Sequence, residues 1–198
     1  MKLTRVISAS AVAFFLLASQ SGFAQSELTV AVMNGQQDLV TDLLRREANV
    51  NQVEADQSTA LQWAVYNENL AIIKDLVKAG ADLNFANREG ITPLMLAAQA
   101  GNEEITEFLL DKGAAADYTL ANGETLLMMA ARTGDTATIE VILDHGADIN
   151  AKENLRGTTA LMWAAANTNA DAVSLLIEKG ADMALHSNTV NPGRGPYL

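Results

Sequence analysis

One pattern recurs along this chain about every 33 residues, and it limits the fold to repeat architectures. Its most regular feature is an alanine, which stands at Ala31, Ala64, Ala97, Ala130 and Ala164 with spacings of 33, 33, 33 and 34 residues. Four of these alanines end a six-residue segment that begins with threonine and contains leucine. Such a period is typical of solenoids, in which each repeat buries its apolar face against its neighbours.

Each repeat carries the signals of two short helices joined by a turn. Threonine, a favourable N-cap, stands where the first helix would begin in four repeats, and Ser26 takes that place in the first repeat. The second helix is indicated by apolar residues at helical spacing, such as Ile105, Leu109 and Leu110 in the third repeat. A glycine ends this second helix in four repeats, at Gly80, Gly113, Gly146 and Gly180.

These motifs resemble the ankyrin repeat, which has the pattern Thr-Pro-Leu-His-x-Ala-Ala followed by Gly-Ala-Asp-x-Asn. The segments 92–97 (Thr-Pro-Leu-Met-Leu-Ala) and 80–84 (Gly-Ala-Asp-Leu-Asn) carry the match most fully. The resemblance covers about residues 27–185. It implies an all-α solenoid of about five helix-turn-helix repeats with finger loops between them.

The chain departs from that pattern at three kinds of position. Gln62 and three methionines replace the histidine of the first-helix motif, so we expect fewer hydrogen bonds between neighbouring loops and more apolar packing. Glu68 and Thr168 replace the glycine between the two helices, which predicts strain or a shifted turn. The loop from Asn150 to Gly157 is one residue longer than its counterpart, and insertions in repeat proteins often fall on the binding side.

The chain is divided by these motifs into a leader, five repeats and a tail. Residues 1–24 are predicted to be a signal peptide, because Lys2 and Arg5 precede an apolar run from Val6 to Ala18 and small residues lead up to Ala24. That run is shorter than the ~20 residues of a membrane-spanning helix. The predicted boundaries are 25–51 for an N-terminal capping repeat, 52–84, 85–117, 118–150 and 151–185 for four further repeats, and 186–198 for the tail.

Composition and charge argue against several classes of function. The formal net charge is −11, so a nucleic acid or an anionic membrane is a poor partner. The chain has no cysteine and two histidines, and no residues are spaced like a catalytic triad, a metal site or a phosphate loop. We therefore expect neither an enzyme nor a cofactor, and no membrane insertion once the signal peptide has been removed.

The partner-binding surface is inferred from the resemblance. In ankyrin proteins the finger loops and the ends of the first helices form one concave face that binds other proteins. Carried over position by position, the candidate partner-binding residues are Asp56, Tyr66, Asn67, Arg88, Glu89, Ile91, Asn122, Glu124, Arg132, Leu155, Arg156 and Asn167. Tyrosine and arginine dominate interfaces, although single loop residues of these types also serve as solvated spacers.

Trp63 and Trp163 stand directly before the repeat alanine, at a position that is usually packed between helices. We expect both to be core residues, with an exposed binding anchor as the alternative. The methionines of the first helices, which are Met95, Met128, Met129 and Met162, are likewise expected to fill the core.

The leading hypothesis is a monomeric, periplasmic or secreted scaffold that binds another protein. The chain looks like bacterial periplasmic ankyrin proteins, and this resemblance implies an accessory role in oxidative-stress defence. The alternative is an inhibitor or immunity protein that binds a toxic enzyme in the same compartment, because an acidic surface attracts a basic partner.

Overall fold

The computed structural model describes residues 26–188, and within them it contains ten helices and no extended strand. The helices are α1 (Glu27–Met33), α2 (Gln37–Arg45), α3 (Ala60–Tyr66), α4 (Leu70–Lys78), α5 (Pro93–Ala100), α6 (Glu103–Asp111), α7 (Leu126–Thr133), α8 (Thr136–Asp144), α9 (Ala160–Ala166) and α10 (Ala170–Glu178). They form five helix pairs, one in each predicted repeat. The all-α repeat fold expected from the sequence is therefore confirmed.

The first helix of each pair begins at the predicted cap. The Thr92 hydroxyl accepts a hydrogen bond from the Met95 backbone N–H at 3.3 Å, and Pro93 follows as the first residue of α5. Ser26 caps α1 in the same way, with its hydroxyl 3.1 Å from the Thr29 backbone nitrogen. These bonds satisfy N–H groups that a helix start leaves without an intrahelical partner.

The turn between paired helices requires a residue with a left-handed backbone. Gly101 and Gly134 occupy this position with φ of 63° and 82°. Glu68 and Thr168 adopt the same conformation with φ of 53° and 58°, although side chains disfavour it. The strain predicted from the missing glycines is therefore present in the second and fifth repeats.

Within the described chain, residues 26–89 form one compact part and residues 90–188 form another. In the first part, α1 packs on α3 and α2 packs on α4. Asp75 of α4 accepts hydrogen bonds from the Gln37 side-chain amide at 2.6 Å and from the Thr41 hydroxyl at 3.2 Å. Gln62 donates to the Phe85 carbonyl at 3.3 Å, so in this repeat the residue that replaces histidine keeps a bond to the next loop.

In the second part, α5, α7 and α9 pack side by side, and α6, α8 and α10 form a second row against them. Leu109, Ile139 and Leu176 are fully buried in that row. Asn169 ties the fifth repeat to the fourth, because its side-chain amide donates to the carbonyls of Ala131 and Arg132, each at 3.0 Å. Stability in this part thus comes from contacts between neighbouring repeats.

The predicted signal peptide, residues 1–24, lies outside the described residues, as does most of the predicted tail. Between residues 26 and 188, none of the helices has the length and apolar character that crossing a membrane requires.

Candidate functional site

The finger loop of the fifth repeat differs from the other finger loops by its inserted residue. In the second and fourth repeats the loop is closed by a backbone hydrogen bond between residues three apart. The Gln57 N–H donates to the Glu54 carbonyl, and the Gly123 N–H donates to the Leu120 carbonyl. In the fifth repeat the Gly157 N–H instead donates to the Glu153 carbonyl, four residues back, at 3.1 Å. The insertion therefore widens the turn and places Leu155 at its tip, with 75% of its surface exposed.

The carboxylate of Glu153 holds this wide turn together. It accepts hydrogen bonds from the backbone N–H groups of Leu155 at 2.6 Å, Arg156 at 2.7 Å and Thr158 at 3.1 Å, and from the Thr158 hydroxyl at 3.0 Å. The bond from the Thr158 backbone, followed by those from Leu155 and Arg156, lowers the pKa of Glu153 to about 2, although burial acts in the opposite direction. Glu153 is therefore ionised at neutral pH, and its oxygens are occupied within the protein.

An open cavity of about 330 Å³ lies between the loops and helices of the fourth and fifth repeats. The loops contribute Asn122, Glu124, Leu155 and Arg156, in addition to Glu153 and Thr158. Helix α9 contributes Met162, Trp163 and Ala166 to the opposite wall. The structure thus brings four predicted partner-binding residues together around one cavity.

Arg132, which is also a predicted binding residue, reaches the wall of this cavity. Its guanidinium lies 3.0 Å from the carboxylate of Glu124 and 5.7 Å from the centre of the Trp163 ring. Arg132 thus forms an ion pair with Glu124 and a cation–π contact with Trp163. Arg132 therefore fixes Glu124 and Trp163 in place and has less freedom to bind a partner than the sequence suggested.

The expectation that both tryptophans are core residues holds for Trp63 and not for Trp163. Trp63 is 5% exposed, and its indole N–H donates to the Ser58 hydroxyl at 2.9 Å. Trp163 is only half-buried, and its buried indole nitrogen has no hydrogen-bond partner among the described residues. Met162 is also half-buried, whereas Met95, Met128 and Met129 are core residues as expected.

The predicted residues of the first part serve mainly as local supports. Asp56 accepts hydrogen bonds from the backbone and hydroxyl of Ser58 at 2.9 and 2.6 Å. Tyr66 packs edge-on against Trp63, with ring centres 5.9 Å apart. Asn67 donates to the Met33 carbonyl at 3.1 Å and so links the first two repeats.

Four other predicted residues are not among those that line the cavity. Arg88 and Glu89 are exposed on the finger loop of the third repeat, and Arg88 makes one long contact of 3.5 Å with the Ala55 carbonyl. Ile91 is half-buried, and Asn167 donates to the carbonyl of Trp163 within its own helix end at 2.9 Å. Their roles in partner binding stay predictions.

Sequence reasoning did not select Glu153, Met162 or Trp163 as site residues. The inserted residue in the fifth finger loop was the signal that pointed to this region, because it changes the turn around Glu153. Among residues 26–188, no group of three or more histidine, aspartate or glutamate side chains is arranged to hold a metal ion.

Comparison with known families finds one matching description, "Ankyrin repeats (3 copies)", over residues 28–121 and 113–187. Together the two matches span most of the chain. No curated protein matches the chain.

Proposed function

Because this chain belongs to the ankyrin-repeat family, whose repeats are protein–protein interaction modules, we propose that it acts as a binding scaffold outside the cytoplasm. The proposal includes an accessory role in oxidative-stress defence. The location is supported by the leader, in which two basic residues, an apolar run and small residues follow one another as in a signal peptide.

The observation that carries the proposed binding role is the cavity between the fourth and fifth repeats. It combines an exposed apolar side chain, Leu155, with the exposed guanidinium of Arg156 and a half-buried aromatic ring, Trp163. Aromatic and arginine side chains at the edge of a recess are the residues that contribute most to protein interfaces. Such a recess suits the binding of a side chain from another protein.

An inhibitor or immunity protein for a toxic enzyme is the second candidate function. It is favoured by the net charge of −11, which would accelerate encounter with a basic enzyme. The two functions differ in their effect on the partner. An inhibitor abolishes the partner's activity at stoichiometric ratio, whereas a scaffold leaves that activity intact or raises it.

The proposed function is tested by capturing partners from a cell-envelope extract with the tagged protein and with two charge-reversal variants. Arg156→Glu changes the cavity edge, and Arg45→Glu makes the same change at the exposed end of α2 as a matched control. Arg132 is left unchanged, because reversing its charge would place two carboxylates together at Glu124.

We expect one protein to be captured in stoichiometric amount by the wild type and the Arg45 variant, and to be lost from the Arg156 variant. Retention by the Arg156 variant would move the binding surface elsewhere. The effect of the wild type on the captured protein's activity then separates a scaffold from an inhibitor.

A further inference from the structure

The fifth repeat leaves exposed the apolar side chains that the third and fourth repeats bury. At three positions of the first helix, the residues of α5 and α7 are at most 1% exposed. In α9 the residues at these positions are half-buried or exposed, because no further helix pair follows among residues 26–188. The equivalent residues are Leu94, Leu127 and Leu161 at the first position, Met95, Met128 and Met162 at the second, and Ala98, Ala131 and Ala165 at the third.

The second helix of the fifth repeat shows the same difference. Val173 of α10 is half-buried, whereas Ile139 at the same position of α8 is fully buried. Ile177 of α10 is 40% exposed, whereas its counterpart in α6, Leu110, is 6% exposed. We call the apolar surface that a sixth repeat would cover the end face, and it consists of Leu161, Met162, Ala165, Val173 and Ile177.

The first repeat ends the array in a different way. Its residue Glu27 is exposed and charged, at a position where α5, α7 and α9 carry buried Pro93, Leu126 and Ala160. A charged residue is stable in water, whereas the end face offers only apolar side chains. Terminal repeats need a polar outer surface to stay soluble, so the end face requires a cover.

The chain leaves the fifth repeat on a path that leads onto this face. The Asn188 N–H donates to the Arg156 carbonyl, as the Asn154 N–H donates to the Asn122 carbonyl one repeat earlier. From Asn154 the chain continues through Thr159 into α9, which packs on α7. Residues that follow Asn188 in the same register are therefore directed onto α9.

The segment 189–198 has the composition and the length to cover the end face. It contains Val190, Tyr197 and Leu198, together with two prolines and two glycines. Proline and glycine oppose a sixth helix pair, so the segment is suited to cover the face in an extended conformation. Ten extended residues reach at most ~35 Å, whereas α9 is about 10 Å long and paired helices lie about 8–10 Å apart.

We propose that residues 189–198 fold back onto the end face and act as the C-terminal cap of the array, with Tyr197 and Leu198 packed against Met162 and Ile177. A segment tethered at Asn188 is present at an effective concentration on the order of millimolar. A second copy would approach against a net charge of −11 on each molecule, whereas the segment carries one arginine and no acidic side chain. Tethering and charge therefore both favour the segment as the occupant. The inference does not depend on the proposed partner-binding role.

The contact is tested by NMR on the full chain with ¹³C-labelled methionine methyl groups, in which the Met162 resonance is assigned with Met162→Leu. We expect nuclear Overhauser contacts between the ring protons of Tyr197 and the Met162 methyl group. In Tyr197→Leu these contacts should vanish and the Met162 resonance should shift, because the ring no longer lies beside it. The methyl group of Met95, buried in α5, is the internal control and should not shift.

The contribution of the cap to stability is measured by thermal unfolding. Replacing Tyr197 and Leu198 together by serine should lower the melting temperature by roughly 2–6 °C, because two apolar side chains lose their buried contacts. The control Leu155→Ser removes an apolar side chain that is 75% exposed, and it should change the melting temperature by less than about 1 °C.

Three results overturn the proposal. The first is the absence of any contact between the segment 189–198 and the end face within one chain. The second is a contact seen only between labelled and unlabelled chains in a mixed sample, which would mean that a second copy covers the face. The third is a double serine variant that melts at the temperature of the wild type, which would leave the face open for another protein.

Discussion

Replacing Thr168 by glycine is expected to stabilise the protein, because Thr168 holds a left-handed backbone with φ of 58° at the turn between α9 and α10. This conformation raises the free energy of an L-residue by about 1–2 kcal/mol, and β-branched residues such as threonine have the larger values. Glycine removes that strain but loses about 0.5–1 kcal/mol of additional chain entropy on folding. The net gain is therefore about 0.5–1 kcal/mol.

No packing contact offsets this gain. Thr168 is exposed, and its hydroxyl bonds only to the carbonyl of the preceding residue, Asn167, at 2.7 Å. A chain of this length shifts its melting temperature by roughly 2–4 °C per kcal/mol. We therefore expect an increase of roughly 1–4 °C, measured by circular dichroism, together with a higher urea midpoint.

The matched control is Ser174→Gly, on an exposed position inside α10. Glycine in a right-handed helix should lower the stability by about 0.5 kcal/mol relative to serine. Opposite signs for the two variants would support the strain argument. If Thr168→Gly is neutral or destabilising, the positive φ of Thr168 is not a source of strain and the reasoning is refuted.

Two further changes test the packing and the electrostatics. Leu109→Asp places a charge at a fully buried position of α6 and should lower the free energy of unfolding by at least about 3 kcal/mol, seen as loss of the cooperative thermal transition. The control Leu155→Asp, at the exposed loop tip, should change that free energy by less than about 0.5 kcal/mol. Equal melting temperatures for the two variants would contradict the burial of Leu109. Glu153→Gln should lower the melting temperature at pH 7. The difference in melting temperature from wild type should disappear as the pH falls from about 4.5 towards about 2, because a carboxylate with a lowered pKa stabilises the fold only while it is ionised. A difference that stays constant with pH would show that the loop does not depend on this charge.

The sequence was sufficient for the fold, because the features that define each repeat are local. The threonine cap, the short alanine-rich helix and the position of the turn are set by residues within one repeat. The strained turns at Glu68 and Thr168 were also predictable, since a missing glycine at a left-handed position is visible without coordinates.

The cavity was not predictable in the same way, because it depends on contacts between repeats. Trp63 and Trp163 have equivalent motif positions, but Trp63 is buried and bonded to Ser58, whereas Trp163 is half-buried and the hydroxyl of Thr158 bonds to Glu153 instead. The pairing of Arg132 with Glu124 could not be seen from residue types either. Side chains with interface chemistry are also used for internal support, and the coordinates are needed to distinguish the two uses.

The way in which the chain leaves the fifth repeat bears on how such arrays change in length. The Asn188 N–H donates to the Arg156 carbonyl, just as the Asn154 N–H donates to the Asn122 carbonyl one repeat earlier. The Asn188 side chain also lies against Gly157, as that of Asn154 lies against Gly123. A duplicated repeat inserted after Asn188 would thus start in register on an existing contact.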